Sequence, residues 1–136
     1  MTKQFTLGKN ERLKSRKSIE WLFSEGKSFA QTPYRVYYSF NKKTDNTGTS
    51  KFNIRFGAGV SAKNFRKAVD RNRIKRVTRE TFRLQKLILQ ERLKDKDREI
   101  HVFFIYTSRE MPVYKEVSLV TGKILQKLAQ ITDEIK

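Results

Sequence analysis

Phe52-Asn53-Ile54-Arg55-Phe56-Gly57-Ala58-Gly59-Val60 alternates apolar and polar residues along its first half. Phe52, Ile54 and Phe56 fall on one side and Asn53 and Arg55 on the other, the pattern of a strand with one buried face. Gly57 and Gly59 near its end imply a close backbone approach or a bulge. Just beyond it the period changes. Residues 66–92 contain no Gly or Pro, and Ile74, Val77, Thr81, Leu84 and Ile88 share one face at about 100° per residue. This predicts one long helix. His101 to Tyr106 then forms a nearly continuous apolar run, as expected of a central strand. Two strands joined through a long helix are placed to lie parallel.

Upstream, residues 33–40 are rich in aromatic and β-branched types and read as a strand, with a short strand over Lys27 to Ala30 before it. Residues 41–50 form a polar hairpin loop. A short helix starts at Ser15 or Ser18, runs to Glu25 and stops at Gly26, with Ile19, Leu22 and Phe23 at helical spacing. Residues 1–14 are expected to be a basic N-terminal arm, leaving 15–132 as a single domain. Downstream, 94–98 is a charged turn and Met111-Pro112 a break. Residues 115–131 make a last helix with Val117, Val120, Ile124, Leu128 and Ile131 along one face. The order is helix, strands, long helix, strand, helix. That predicts an α+β fold, a two-layer α/β sandwich with a small mixed sheet and helices packed on it.

The chain has 136 residues, 33% of them charged; 31 Lys and Arg stand against 14 Asp and Glu, a net charge of +17. Such an excess repels itself and calls for a polyanionic partner, nucleic acid first and an anionic membrane second. There is no Cys, which excludes disulfides, thiolate zinc sites and Cys nucleophiles. His101 is the one His, so a nuclease using paired histidines is excluded. The acids Asp70, Glu80, Glu91, Asp95, Asp97 and Glu99 show no spacing that converges on a metal. No catalytic residue, metal site or protein-bound cofactor is therefore expected. The longest apolar run, Val102 to Tyr106, is too short to cross a bilayer, and the N-terminus has no apolar signal segment. The protein is expected to be cytoplasmic.

Residues 63–79 concentrate the charge: eight basic residues and one acid, Asp70. Arg71, Asn72, Lys75, Arg76, Arg79 and Arg83 fall opposite the predicted apolar face. Like charges four apart, such as Arg71, Lys75 and Arg79, each cost a few tenths of a kcal/mol in a bare helix. A phosphate backbone reverses the sign of that cost. Arg holds phosphate with a planar fork, and Lys adds a point charge. Asn72, amid the cations, is suited to hydrogen-bond a base edge or a 2′-hydroxyl. Asp70 near the helix start complements the helix dipole.

Ala68-Val69-Asp70-Arg71-Asn72-Arg73-Ile74-Lys75-Arg76, followed by Arg79, resembles the signature of the bacterial ribonuclease P protein subunit. Gly59-Val60-Ser61-Ala62-Lys63, Arg12-Leu13-Lys14 and the Phe23-x-x-Gly26 ending of the first helix are similar to the same family. The resemblance implies an α-β-β-β-α-β-α order, of the kind found in a small-subunit ribosomal protein, with a left-handed βαβ crossover. It implies a catalytic RNA subunit that uses Mg²⁺ to remove the 5′ leader from precursor tRNA. The protein would be a non-catalytic subunit that binds that RNA and the leader. Carried over by position, Arg71, Asn72, Arg73, Lys75, Arg76 and Arg79, with Lys63, Arg66 and Lys67 beside them, would face RNA. Ile19, Phe23 and Tyr37 would line the leader cleft. Ile19 stands where many members have an aromatic, and Ala62 where the family usually has Lys.

Each aromatic taken singly reads as core, and alternation puts Tyr37 and Tyr38 on opposite faces. Trp21 reads as packing at the helix edge, and His101 as structural. The alternative function is a generic RNA-binding protein of ribosomal type, which shares the charge and size but not the motif.

Overall fold

A computed structural model describes residues 16–42, 54–93 and 98–134. Helix α1 spans Arg16–Glu25, and strands β1, β2 and β3 span Lys27–Gln31, Tyr34–Lys42 and Ile54–Val60. Helices α2 (Ala68–Gln85) and α3 (Leu87–Leu93) follow, then β4 (Arg98–Tyr106) and α4 (Tyr114–Asp133). The N-terminal arm and most of the 41–50 loop lie outside the described residues, as do 94–97 of the charged turn.

Leu22 is the fully buried residue of α1. The helix stops at Gly26, whose amide donates to the Leu22 carbonyl at 2.9 Å. A Cβ at 26 would stand 2.4 Å from that oxygen and 3.1 Å from the Tyr38 carbonyl, so only glycine lets the chain turn this tightly into β1.

The sheet order is β1-β2-β4-β3. β1 pairs antiparallel with β2, and β2 with β4; β3 lies parallel to β4, a pairing that the long intervening helical segment makes possible. Pairing runs unbroken from Ile54↔Ile100 to Val60↔Tyr106. The glycines of β3 therefore mark no bulge, and Gly59 marks a close approach, a Cβ there standing 2.8 Å from the Phe103 ring.

One sheet face carries Val36 and Tyr38 of β2, Val102 and Phe104 of β4, and Ile54 and Phe56 of β3 into a core closed by α2, α3 and α4. Phe82 of α2 stacks on Phe56 at 3.9 Å, and Phe104 meets both rings edge-on. Emptying a position like Phe82 to Ala costs about 3–5 kcal/mol. Two buried hydroxyl contacts to other elements fix how α2 is turned, and a third lies within the helix. Tyr34 Oη lies 2.7 Å from Thr78 Oγ1, Thr78 Oγ1 donates to the Ile74 carbonyl, and Thr81 Oγ1 lies 3.1 Å from Thr121 Oγ1 of α4. Burial and the Thr78 bond act in opposite directions on the Tyr34 phenol, and burial wins, pushing it up to about 12.

Two expectations about the long helix are corrected. It divides at Lys86, where α3 turns to bury Leu89 and Leu93. Its core face is Ile74, Thr78, Thr81 and Phe82, whereas Leu84 and Ile88 are exposed. Threonines become core residues once their hydroxyls are paired, and this turns the helix away from the purely apolar stripe.

Candidate nucleic-acid interface

α2 springs from a short loop after the edge strand β3. Phe65, 7% exposed, anchors this loop, its ring 6.1 Å from Tyr106. The Ser61 carbonyl accepts from the amides of Asn64 and Phe65, and Asn64 Nδ2 donates to the Thr107 carbonyl. Lys63, Arg66 and Lys67 stand exposed around the anchor. Lys67 occupies the N-cap position and supplies no side-chain cap, and Asp70 sits in the first turn.

Asn72, Arg73, Arg76 and Arg79 are exposed along α2, with Lys75 half-buried at their flank. The positive end of the helix dipole adds to the loop cations. Arg71 is placed differently. It is half-buried, and its Nη1 donates to the carbonyls of Phe65 and Arg66, both at 2.8 Å. Arg83 pairs with Glu80 at 3.0 Å.

The second sheet face is only partly covered, by α1. Phe23, 41% exposed, sets its ring 4.8 Å from Tyr37 of β2 and 5.3 Å, edge-on, from Phe103 of β4. The Arg35 guanidinium lies 5.8 Å from the Tyr37 ring centre and donates to Ser28 Oγ. Ile19, one turn before Phe23, is half-buried, and Trp21 is exposed. The structure thus brings Phe23 and Tyr37 into contact on this face and puts Tyr38 in the core behind it. Phe103 is the aromatic that the sequence pattern hid. The run His101 to Tyr106 is apolar almost throughout, but its odd-numbered members lie on the face opposite the core; strand alternation along the run is the signal that finds Phe103.

Further along the same face, Glu99 is buried between His101 and Arg55. Its Oε1 lies 2.8 Å from His101 Nε2 and 3.5 Å from Arg55 Nε. Burial alone raises this carboxyl, yet the His101 hydrogen bond and charge, with Arg55, hold it below the usual carboxylate range. His101 thus has a structural partner. Among the described residues no group of three His, Cys, Asp or Glu is arranged to hold a metal ion. Among the same residues no helix is long and apolar enough to cross a membrane.

A cationic helix on one side of a small mixed sheet and a half-open aromatic face on the other define an RNA-associated α+β protein. A family model described as Ribonuclease P matches residues 7–129. The chain is 35% identical over 125 residues to the ribonuclease P protein component of Porphyromonas gingivalis, covering 92% of this chain and 88% of that one. Among solved structures, the RNase P protein of Thermotoga maritima is similar at 26% identity and a TM-score of 0.54, covering 93% of this chain and 98% of that one. A mutant RNase P protein of Staphylococcus aureus is similar at 25% identity and a TM-score of 0.57, covering 90% and 88%. The chain belongs to the ribonuclease P protein family. Membership makes it a subunit of a tRNA-processing ribonucleoprotein and a partner of RNase P RNA.

Proposed function

We propose that the exposed face of α2 and its preceding loop docks the RNA subunit, and that the α1-side cleft takes the 5′ leader of precursor tRNA. The observation that carries this is the exposed Phe23 ring resting on Tyr37 and Phe103 beside an open sheet face. Every base has a π-face, so such a platform suits single-stranded RNA of varied sequence, at about 1–3 kcal/mol per stacked base. Lys63, Arg66, Lys67, Arg73, Lys75, Arg76 and Arg79 neutralise phosphates, and Asn72 supplies directional hydrogen bonds among them.

The chemistry belongs to the RNA subunit with Mg²⁺, which cleaves the leader hydrolytically in the cytoplasm. The protein lends affinity for the leader and lowers the Mg²⁺ that the assembly requires.

A cleavage assay on a leader-bearing precursor tRNA at low Mg²⁺ tests this, comparing protein alone, cognate RNase P RNA alone and the mixture. Correct 5′ processing in the mixture alone is expected. No gain from folded protein would sink the proposal and leave a generic RNA binder of ribosomal type.

A further inference from the structure

We propose that Arg71, although it stands in the middle of the basic motif, is a positioning residue and not a phosphate ligand. Its guanidinium fixes the loop that presents Lys63, Arg66 and Lys67. This rests on the loop and α2 being the face that docks RNA.

The direction of the side chain carries the inference. Arg71 lies three residues before the fully buried Ile74, on the same side of α2, and is half-buried. One nitrogen, Nη1, spans two successive carbonyls, those of Phe65 and Arg66, at 2.8 Å each. Charge-assisted bonds of this length are among the stronger ones a side chain makes. They hold the last residues before the helix. The bonds to the Ser61 carbonyl, the Asn64–Thr107 bond and the Phe65 ring secure the first part of the loop. At the N-cap, Lys67 offers no side-chain acceptor to the helix, although its carbonyl accepts from the Arg71 amide at 3.2 Å. Arg71 thus closes the loop twice onto the first turn of α2, by its backbone and by its guanidinium. Three cations crowd this loop, and they would splay it if the two carbonyls were free to turn to solvent. Holding the loop before RNA arrives removes an ordering cost from binding.

A double-mutant cycle with hydrogen exchange tests the assignment. Full-length protein is titrated with its cognate RNase P RNA as wild type, R71A, the triple variant K63A/R66A/K67A, and all four substitutions together. R71A is expected to weaken binding about tenfold in the wild-type background. In the triple variant, where the loop carries no cations to place, its effect is expected to fall below about twofold. In the free R71A protein, amides 63–67 are expected to exchange faster while those of α4 do not. The same loss in both backgrounds, with unchanged loop exchange, would overturn the proposal and make Arg71 a direct phosphate ligand. If the triple variant, R76A and R79A all bind as wild type, the docking face itself is wrong, a distinct result. Should R71A not fold, as general α4 exchange would reveal, R71Q carries the same cycle.

Discussion

Gly59 lies directly beneath Phe103: a Cβ built at residue 59 stands 2.8 Å from Phe103 Cε1. The absent side chain lets the Phe103 ring lie over the edge strand and form the floor on which Phe23 rests edge-on. Gly59→Ala is expected to tilt that ring, cost about 1–3 kcal/mol as overpacking, and weaken leader binding several-fold. Urea denaturation gives the first quantity and titration with leader-bearing precursor tRNA the second. Unchanged affinity with the stability cost present would remove Phe103 from the cleft.

Phe23→Ala and Tyr37→Ala each delete a stacking surface and leave every charge in place. Both are expected to weaken binding of leader-bearing precursor by about 1–3 kcal/mol and to leave mature tRNA nearly unaffected. The ratio of the two dissociation constants is the readout. Equal losses on both RNAs would return these rings to a purely structural role.

Arg76 and Arg79 are exposed on the outer side of α2. Each one's replacement by Ala is expected to lower the slope of log K against log salt by about 0.7–0.9, one phosphate's worth of released counterions. Titration of cognate RNase P RNA at a series of salt concentrations measures it. A slope unchanged in both variants counts against this face as the phosphate contact.

The buried Glu99 carboxylate is held below its usual range by His101 and Arg55. A carboxyl depressed in the folded state contributes stability that is present above its unfolded value and lost as pH falls through its folded value. Wild type is therefore expected to lose stability below about pH 4.5 more steeply than Glu99→Gln. Urea midpoints for both proteins between neutral and acid pH decide the matter. Parallel curves would show that the carboxylate contributes no pH-dependent stability.

Apart from the split of the long helix, the element order and the segregation of Tyr37 from Tyr38 were legible in periodicity, and the parallel β3–β4 pair in the helical connection between the strands. Alternation and helical spacing are local, and each had one consistent solution. The break at Lys86 carried no Gly or Pro signal; it arises because α3 must turn to lay Leu89 and Leu93 in the core. The rotation of α2 escaped because it depends on Thr78 meeting a phenol forty-four residues away in sequence. Phe103 was hidden by apolar neighbours on the opposite face. The motif marked Arg71 as basic, but the direction of its guanidinium is set by a loop conformation that composition does not encode. For the proposed cleft, the resemblance pointed to Phe23 and Tyr37, which the structure brings into contact, and strand geometry adds Phe103 against Phe23.

β2 serves both halves of the molecule at once. Tyr34 locks α2 through Thr78 from one side of the strand, and Tyr37, three residues on, meets the Phe23 ring on the other. Side chains in a strand alternate, so losing or gaining a single residue between them exchanges inside for outside. One indel within β2 would thus unlatch the helix and dismantle the platform together. The spacing between Tyr34 and Tyr37 matters as much as the two residues themselves.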